Sequence, residues 1–326
     1  MIEVMIRESE SGQRLDKFLR RYLPEAGSGF LYRMMRKKNI VLNGRKAEGK
    51  ELLKTGDSIK IFFSDGTIEK FRGKGVDTAG FPVLKKEWIL YEDSELLVLN
   101  KPAGILSQKG EDNVPSMVEY VRGYLKEKGE LTDQSARLYM PGVVNRLDRN
   151  TSGILLAAKT LAAARSLSQA LKERTADKYY LAVVHGCPDK AGRVSAWLTR
   201  REAERTVLVS DSFSEGASRI ETEYEPVFRG REYSLLRIRL ITGRTHQIRS
   251  HLAFLGYPIA GDRKYGIREE HGPGRQMLHA WKLRAKGDDG RDITFTAPLP
   301  DDMLDFMRRN GIPSELNPAL NCGELS

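Results

Sequence analysis

The sequence Val143-Val144-Asn145-Arg146-Leu147-Asp148-Arg149-Asn150-Thr151-Ser152-Gly153 sets one acidic residue between two arginines, ahead of a turn-forming Asn-Thr-Ser-Gly run. Apolar residues precede this polar segment, and the apolar run 154–157 follows it. The two apolar stretches predict buried strands, so the polar segment is a short loop displayed on a rigid sheet. Asp148 is therefore a candidate functional residue; the alternative is an aspartate that only satisfies the backbone of a turn.

The composition describes a soluble protein. A chain of 326 residues with 40% hydrophobic and 30% charged residues has room for two or three domains and a sizeable core. The first eight residues contain no long apolar run, so we expect neither a signal peptide nor a membrane-spanning helix. Cys187 and Cys322 are the only cysteines, and their wide separation favours a reducing cytoplasm over a disulfide framework or a zinc site.

The positive charge is concentrated near the N-terminus. The formal net charge is +10, and residues 12–50 alone hold eleven Lys or Arg against three acidic residues. Such a concentration favours a polyanionic partner such as RNA, the alternative being a solvated helix face. The residues expected to contact RNA are Arg14, Lys17, Arg33, Arg36, Lys37, Lys38, Asn43, Arg45 and Lys46.

The pattern over residues 1–63 predicts a small α/β RNA-binding domain. Residues 14–23 place four apolar side chains on one helical face, and residues 30–38 predict a second helix. Asn43-Gly44, between apolar and basic residues, predicts a tight hairpin, and residues 55–62 add a turn and a strand.

The rest of the chain predicts a linker and a larger domain. Residues 64–83 are rich in glycine and charge, which is typical of a linker. Residues 84–326 then form the second domain, in which a hairpin over 88–99 and alternating strands over 193–240 predominate. We therefore predict an α+β fold with a mixed, largely antiparallel sheet.

A second polar segment lies at Thr242–Gly256. Its apolar residues recur at helical spacing, which places His246 and Arg249 near the first turn of a helix. A semi-buried guanidinium can pair bidentately with a carboxylate and keep it charged, and Asp148 is the natural candidate partner. A metal site formed by His246 and His251 is disfavoured, because side chains five residues apart do not share a helical face. We expect these histidines to make hydrogen bonds around the helix start.

Three long segments, in order, resemble the RluA/RluC/RluD family of pseudouridine synthases: NRLDRNTSGILLAAKT, KYYLAVVHG and LITGRTHQIRSHLAFLGYPIAGDRKYG. NKPAGIL precedes them and LHAWKL follows, so the resemblance covers most of residues 84–300. Residues 12–63 resemble the ribosomal-protein-S-four-like (alpha-L) RNA-binding domain, although that domain's usual serine-arginine-serine opening of the second helix is here Gly27-Ser28-Gly29.

The resemblance implies roles for individual residues. Asp148 would be the catalytic aspartate and Arg249 its salt-bridge partner. Tyr180 would lie against the target base, although a tyrosine in a strand can equally be an ordinary core aromatic. Arg146 would fill the stack left by a flipped uridine, and the residues expected around the substrate are Arg146, Asn145, Ile248 and His246. This chain has Asn145 where the family usually has histidine.

The implied reaction is isomerisation of uridine in RNA, which needs no cofactor and no metal. An ionised carboxylate suits either attack on the ribose or proton abstraction at its 2-prime position, and the sequence does not choose between them. We expect a monomeric, cytoplasmic enzyme acting on large-subunit ribosomal RNA. The alternatives are a non-catalytic RNA-binding or ribosome-assembly factor on the same fold and, less favoured without clustered metal ligands, a metal-dependent nuclease.

Overall fold

A computed structural model describes residues 1–6, 10–72, 80–110, 114–132, 135–136, 139–201, 206–268, 272–286 and 291–313. Two sheets organise them, one of four strands and one of eleven. Strand pairing in both sheets is antiparallel except for one short parallel pair in the larger sheet. The predicted α+β class with a largely antiparallel sheet is confirmed.

The small sheet and its helices form an N-terminal module with a hydrophobic core of its own. Its elements are β1 (Ile2–Met5), α1 (Leu15–Tyr22), α2 (Ser28–Arg36), β2 (Ile40–Leu42), β3 (Arg45–Lys46) and β4 (Ser58–Ile61), with strand order β1-β4-β2-β3. The apolar stripe predicted for α1 is confirmed, because Leu15, Phe18, Leu19 and Tyr22 are all buried. The second helix begins at Ser28, two residues before its predicted start.

The hairpin between β2 and β3 is formed as predicted at Asn43-Gly44. Both residues have left-handed backbones, with φ of 50° and 71°, which is the combination that a type I′ turn requires. The Asn43 side chain donates to Asp57 at 2.8 Å and accepts from the Ser58 amide at 2.8 Å. Asn43 therefore stabilises the turn, a use of its side chain that the charge pattern did not indicate.

The linker predicted over residues 64–83 is wrong for its first half. Residues Asp65–Arg72 form a helix, α3. Ile68 is buried in the core of the N-terminal module, and Phe71 packs against that core. Two apolar side chains within a charged segment are enough to anchor this helix, which therefore belongs to the module.

The large sheet contains β5 (Ile89–Glu92), β6 (Leu96–Lys101), β7 (Gly142–Val143), β8 (Ser152–Ala158), β9 (Asp177–His185), β10 (Gly192–Arg201), β11 (Thr206–Ser210), β12 (Ser218–Arg229), β13 (Tyr233–Leu240), β14 (Leu278–Lys286) and β15 (Asp292–Thr296). Nine strands follow the order β11-β10-β12-β13-β9-β14-β8-β6-β5, while β7 pairs with β8 and β15 with β14. The strands predicted on either side of the Asp148 loop are confirmed as the antiparallel pair β7 and β8.

Among the described residues, four α-helices with given bounds accompany the large sheet: α4 (Met117–Glu127), α5 (Leu161–Glu173), α6 (Gln247–Phe254) and α7 (Asp301–Arg309). The main core joins apolar residues of the central strands to α4, α6 and α7. Ile248 and Leu252 of α6 are buried in it, as the helical spacing predicted. Helix α6 therefore shares one hydrophobic core with the strands that flank the Asp148 loop, which contribute Val143 and Leu155 to it.

Gly153 allows β8 to approach β14 closely. The two strands are parallel here, with Gly153 opposite Ala280. A Cβ atom at residue 153 would lie 2.2 Å from the Ala280 carbonyl oxygen, and the backbone φ is +111°. Only glycine fits this conformation and this spacing, so the close approach fixes the end of the Asp148 loop against the centre of the sheet.

Candidate active site

The loop between β7 and β8 carries Asp148, and Asn145 attaches its beginning to the sheet. The Asn145 side chain accepts from the Leu156 amide at 2.7 Å and donates to the Ile154 carbonyl at 3.2 Å. The side-chain amide of Asn145 thus makes the hydrogen bonds to β8 that the backbone of a neighbouring strand would make. Of the two predicted substrate-side residues in this loop, Asn145 is committed to the backbone, whereas Arg146 is exposed.

Residues 101–107 hold the backbone of the Asp148 loop in place through hydrogen bonds. The Leu147 amide donates to Ser107 Oγ at 3.0 Å, and the same hydroxyl donates back to the Leu147 carbonyl at 2.8 Å. The Arg149 carbonyl accepts from the Gly104 amide at 2.9 Å and from Lys101 Nζ at 3.0 Å. A loop whose polar backbone groups are satisfied in this way presents its side chains from a fixed frame.

Lys101 is a fully buried ammonium group at the centre of this bracing. Besides the Arg149 carbonyl, its Nζ donates to the carbonyls of Pro102 and Ile105, each at 2.8 Å. Burial, together with the charge of Arg275, lowers the pKa of Lys101 to about 7. Three carbonyl acceptors match the three donors of an ammonium group, so the site is built for the charged form.

Arg249, on α6, reaches the Asp148 carboxylate. Its Nη1 donates to Asp148 Oδ2 at 2.9 Å, which confirms the predicted pairing. The predicted bidentate geometry with Asp148 is wrong: Nε and Nη2 instead donate to Asp262, at 2.6 and 2.8 Å. Arg249 therefore bridges two carboxylates.

Burial and charge together set the pKa values of Arg249 and Asp262. Burial alone would lower the pKa of Arg249, but hydrogen bonds and charge from Asp262, with Asp148, raise it above its ordinary value. Burial likewise opposes ionisation of Asp262, yet Arg249 and two backbone amides outweigh it and the pKa of Asp262 is lowered. The Asp262 side chain is 1% exposed and the Asp148 side chain 24% exposed. Asp262 is thus the structural anion, and Asp148 is the one that a substrate can reach.

Tyr180 and Ile248, two of the residues predicted beside the substrate, both belong to the main hydrophobic core. Tyr180 lies on β9 and Ile248 on α6, with 7% and 5% of their surfaces exposed. Burial, and then the charge of Asp148, raises the pKa of Tyr180. Its hydroxyl accordingly stays neutral, which fits a ring that provides a surface and not a proton acceptor.

His246 directly precedes α6 and lies beside Asp148. Its Nε2 is 3.9 Å from Asp148 Oδ2, and its Nδ1 is 2.8 Å from the Tyr265 hydroxyl. Burial lowers the pKa of His246 despite the neighbouring Asp148. His251 lies away from it and hydrogen bonds Thr222 at 3.0 Å. Both histidines make a side-chain hydrogen bond, but the prediction that these bonds lie around the helix start is wrong, because His246 does not cap α6 through its side chain and His251 lies in the last turn of the helix.

The nine predicted RNA-binding residues all lie exposed in the N-terminal module. Arg14 is held by Asp16, with Nη2 at 3.0 Å from Oδ2, and Asn43 is occupied in its turn. Arg33 lies over the Phe30 ring. The cations at 36–38 and 45–46 have no ion-pair partner within the described part of the chain. They provide uncompensated positive charge, which suits a polyanion.

Comparison with known proteins identifies the family. Residues 95–254 match the family described as RNA pseudouridylate synthase. Ribosomal large subunit pseudouridine synthase C of Vibrio vulnificus is 35% identical over 293 residues, covering 86% of this chain and 87% of that protein. The chain belongs to the RNA pseudouridine synthase family. Ribosomal large subunit pseudouridine synthase D of Nitrosomonas europaea is 31% identical over 317 residues, covering 94% of this chain and 87% of its own.

A solved structure supports the fold of this pseudouridine synthase. Human RNA pseudouridylate synthase domain containing 4 superposes with a TM-score of 0.57 at 22% identity, covering 69% of this chain and 93% of that one. At this identity the likeness concerns the fold alone. The predicted enzyme class, an isomerase converting uridine to pseudouridine in RNA, follows from family membership and is confirmed.

Sequence reasoning missed four residues of the synthase site. Lys101 and Arg275 brace the loop: Arg275 donates to the Asn150 carbonyl at 3.2 Å while Nε and Nη2 hold Asp302. Asp262 and Tyr265 hold Arg249 and His246. The segment GDRKYG contains both Asp262 and Tyr265, and its place within the family resemblance is the signal that could have found them.

Metal ligands and membrane spans are both absent from the described residues. These residues contain no cluster of three or more His, Cys, Asp or Glu side chains that could hold a metal ion. Within the same ranges, no helix is long and apolar enough to span a membrane.

Proposed function

We propose that this protein isomerises specific uridines in large-subunit ribosomal RNA, with Asp148 as the catalytic residue. The observation that carries the proposal is the asymmetry of the Asp148 carboxylate. Oδ2 accepts from Arg249 at 2.9 Å, while Oδ1 has no hydrogen-bond partner among the residues that the structure describes. One oxygen is anchored and the other is available to a substrate.

The chemistry requires the carboxylate in its charged form. The bond between N1 of uracil and C1′ of ribose breaks, a bond from C5 to C1′ forms, C5 loses its proton and N1 gains one. Asp148 either attacks C1′ or removes a proton at C2′, and both routes begin from the anion. Arg249, itself neutralised by Asp262, stabilises this anion in a partly buried cleft.

The target base must leave its stack to reach Asp148. We propose that Tyr180 and Ile248 provide the apolar surfaces against which the extruded uracil lies. The charge of Asp148 acts on the Tyr180 hydroxyl, Ile248 directly precedes Arg249 on α6, and neither side chain carries a competing charge. Arg146 is exposed two residues before Asp148. A guanidinium there is suited to stack in the gap that a flipped base leaves.

The substrate class rests on the relatives and on the N-terminal module. Both curated relatives are named as ribosomal large-subunit enzymes, one of the C type and one of the D type. We propose that residues 1–72 form a separate RNA-binding domain whose exposed cations contact phosphates. These contacts position the RNA, and the Asp148 loop carries the chemistry.

The test is tritium release from large-subunit ribosomal RNA labelled at C5 of uridine, comparing wild type with Asp148→Asn. The amide keeps the size of the side chain but cannot act as nucleophile or base, so we expect turnover to vanish while RNA affinity stays within about threefold. Asp189→Asn, an exposed aspartate, is the matched control and should retain wild-type activity. Substantial release by Asp148→Asn would reject the assignment. An inactive wild type that still binds the RNA would favour a non-catalytic binding factor.

A further inference from the structure

Tyr265 lies at a junction of three groups beside Asp148. Its hydroxyl oxygen is 3.0 Å from the Val207 amide nitrogen on β11 and 2.8 Å from His246 Nδ1. Its ring lies under the Arg249 guanidinium, 5.3 Å from the centroid. One side chain thus contacts both residues that approach Asp148 from α6 and its start.

The proton arrangement at this junction can be deduced from donors and acceptors. A backbone amide can only donate, so the Tyr265 oxygen accepts from Val207. The phenol then has one hydrogen of its own, and His246 Nδ1 is the acceptor within reach among the described contacts. If the phenol donates to Nδ1, the proton of the neutral imidazole must sit on Nε2.

The opposite tautomer is disfavoured by Asp148. With the proton on Nδ1, a bare lone pair on Nε2 would face the carboxylate oxygen at 3.9 Å, and the phenol hydrogen would lose its acceptor. With the proton on Nε2, a donor faces the negative oxygen. Both ends of the ring therefore favour the same form.

We propose that Tyr265 is a positioning residue that holds His246 as the Nε2–H tautomer, so that an N–H donor points to Asp148 and the substrate cleft. The catalytic importance of this arrangement rests on the function proposed above. The arrangement itself does not, because a tautomer can be observed in a protein that is not turning over.

The surroundings of His246 agree with a neutral ring. Burial lowers its pKa, and the charged groups that act on the ring are Asp148, Asp262, Arg249 and Lys264. Carboxylates favour the imidazolium and cations oppose it, and burial is the larger effect. A neutral imidazole has two tautomers, so a neighbouring residue can determine which of its nitrogens carries the proton.

The test uses Tyr265→Phe, which keeps the ring under Arg249 and removes only the hydroxyl. In protein labelled with ¹⁵N-histidine, the nitrogen shifts of the wild type should report Nε2–H for His246, assigned by the signal that disappears in His246→Asn. In Tyr265→Phe the two tautomers should mix. The value of kcat should fall about tenfold with KM within about twofold, since two hydrogen bonds, one to His246 and one from the Val207 amide, are removed while the RNA-binding surface is unchanged. The acid limb of the pH–rate profile should move to higher pH, because removing a donor to Nδ1 makes protonation easier.

Tyr124→Phe is the control, because the Tyr124 hydroxyl also donates a hydrogen bond, to Glu92 at 2.6 Å on another part of the molecule. It should change neither the His246 shifts nor kcat. Wild-type shifts showing the proton on Nδ1 would overturn the proposal before any variant is made. A Tyr265→Phe protein with unchanged shifts and an unchanged pH profile would overturn it as well. An inactive wild type with the expected shifts would instead count against the proposed function.

Discussion

Separating Arg249 from Asp262 should reveal a strong coupling between two buried charges. The perturbations are Arg249→Met, Asp262→Asn and the double variant, each of which roughly conserves side-chain volume. The two side chains are 9% and 1% exposed and share two hydrogen bonds of 2.6 and 2.8 Å. Charges about 4 Å apart attract by about 4 kcal/mol at an effective dielectric constant of about 20. Solvent screening is small at this burial.

The expected free energies follow from what each variant leaves behind. Arg249→Met leaves the Asp262 carboxylate buried without its counter-charge and should lower the free energy of unfolding by about 3–5 kcal/mol. Asp262→Asn leaves Arg249 paired with Asp148 alone, so its cost should be smaller. The double variant contains neither of the two charges, so its loss of unfolding free energy should be smaller than the sum of the two single losses by about 3 kcal/mol. The contacts of Asp262 with the Lys264 and Tyr265 amides are altered equally in Asp262→Asn and in the double variant and cancel in the cycle, whereas the contact of Asp148 with Arg249 persists in Asp262→Asn and is lost in both variants that lack Arg249.

Urea unfolding followed by tryptophan fluorescence is the assay. The three tryptophans, Trp88, Trp197 and Trp281, all belong to the large-sheet region, so the signal reports that region and not the N-terminal module. Costs that add to within about 0.5 kcal/mol would show that the two charges are not coupled. In that case Asp262 could not be the residue that holds Arg249 in place.

Three further predictions concern other features. His279 is fully buried, and burial lowers its pKa to about 4, below the value near 6.5 of an unfolded chain. The free energy of unfolding should therefore be at its full value above about pH 6.5 and fall by about 3 kcal/mol as the pH drops towards 4. Urea titrations should find this decrease reduced in His279→Phe. Gly153→Ala should cost about 3 kcal/mol by the same fluorescence assay because its Cβ would meet Ala280, whereas Gly142→Ala, which meets nothing within 4 Å, should be near neutral. Replacing the three exposed cations at 36–38 by glutamine should reduce the slope of log affinity against log salt by roughly 0.7 for each phosphate that is no longer neutralised, with the saturating single-turnover rate unchanged; an unchanged slope would mean that this surface does not touch RNA.

The elements that the sequence predicted are those with a strong local pattern. Strands β7 and β8, the α1 stripe and the Asn43-Gly44 hairpin each depend on periodicity or turn chemistry within about a dozen residues. Helix α3 was missed because only Ile68 and Phe71 mark its buried side, too few to produce a periodic signal in a charged segment.

The part of the candidate site that could be predicted from the sequence is the contact between Arg249 and Asp148. A semi-buried arginine needs a carboxylate, and Asp148 was the acid in a comparable loop, so the contact at 2.9 Å was foreseeable. The role of Asp262 was not, because nothing in the local pattern distinguishes it from an ordinary turn aspartate. The ammonium of Lys101 is likewise defined only by three carbonyls that the folded chain brings around it.

Asp262 also decides how much of Asp148 remains available. A guanidinium with a single acidic neighbour can take both oxygens of that carboxylate in a bidentate pair. Here Asp262 occupies Nε and Nη2 of Arg249, which leaves Nη1 alone for Asp148 Oδ2. The second carboxylate therefore does more than neutralise the arginine, because it restricts Arg249 to one oxygen of Asp148. Stabilising the anion and leaving it reactive are opposing demands, and two acids sharing one arginine satisfy both.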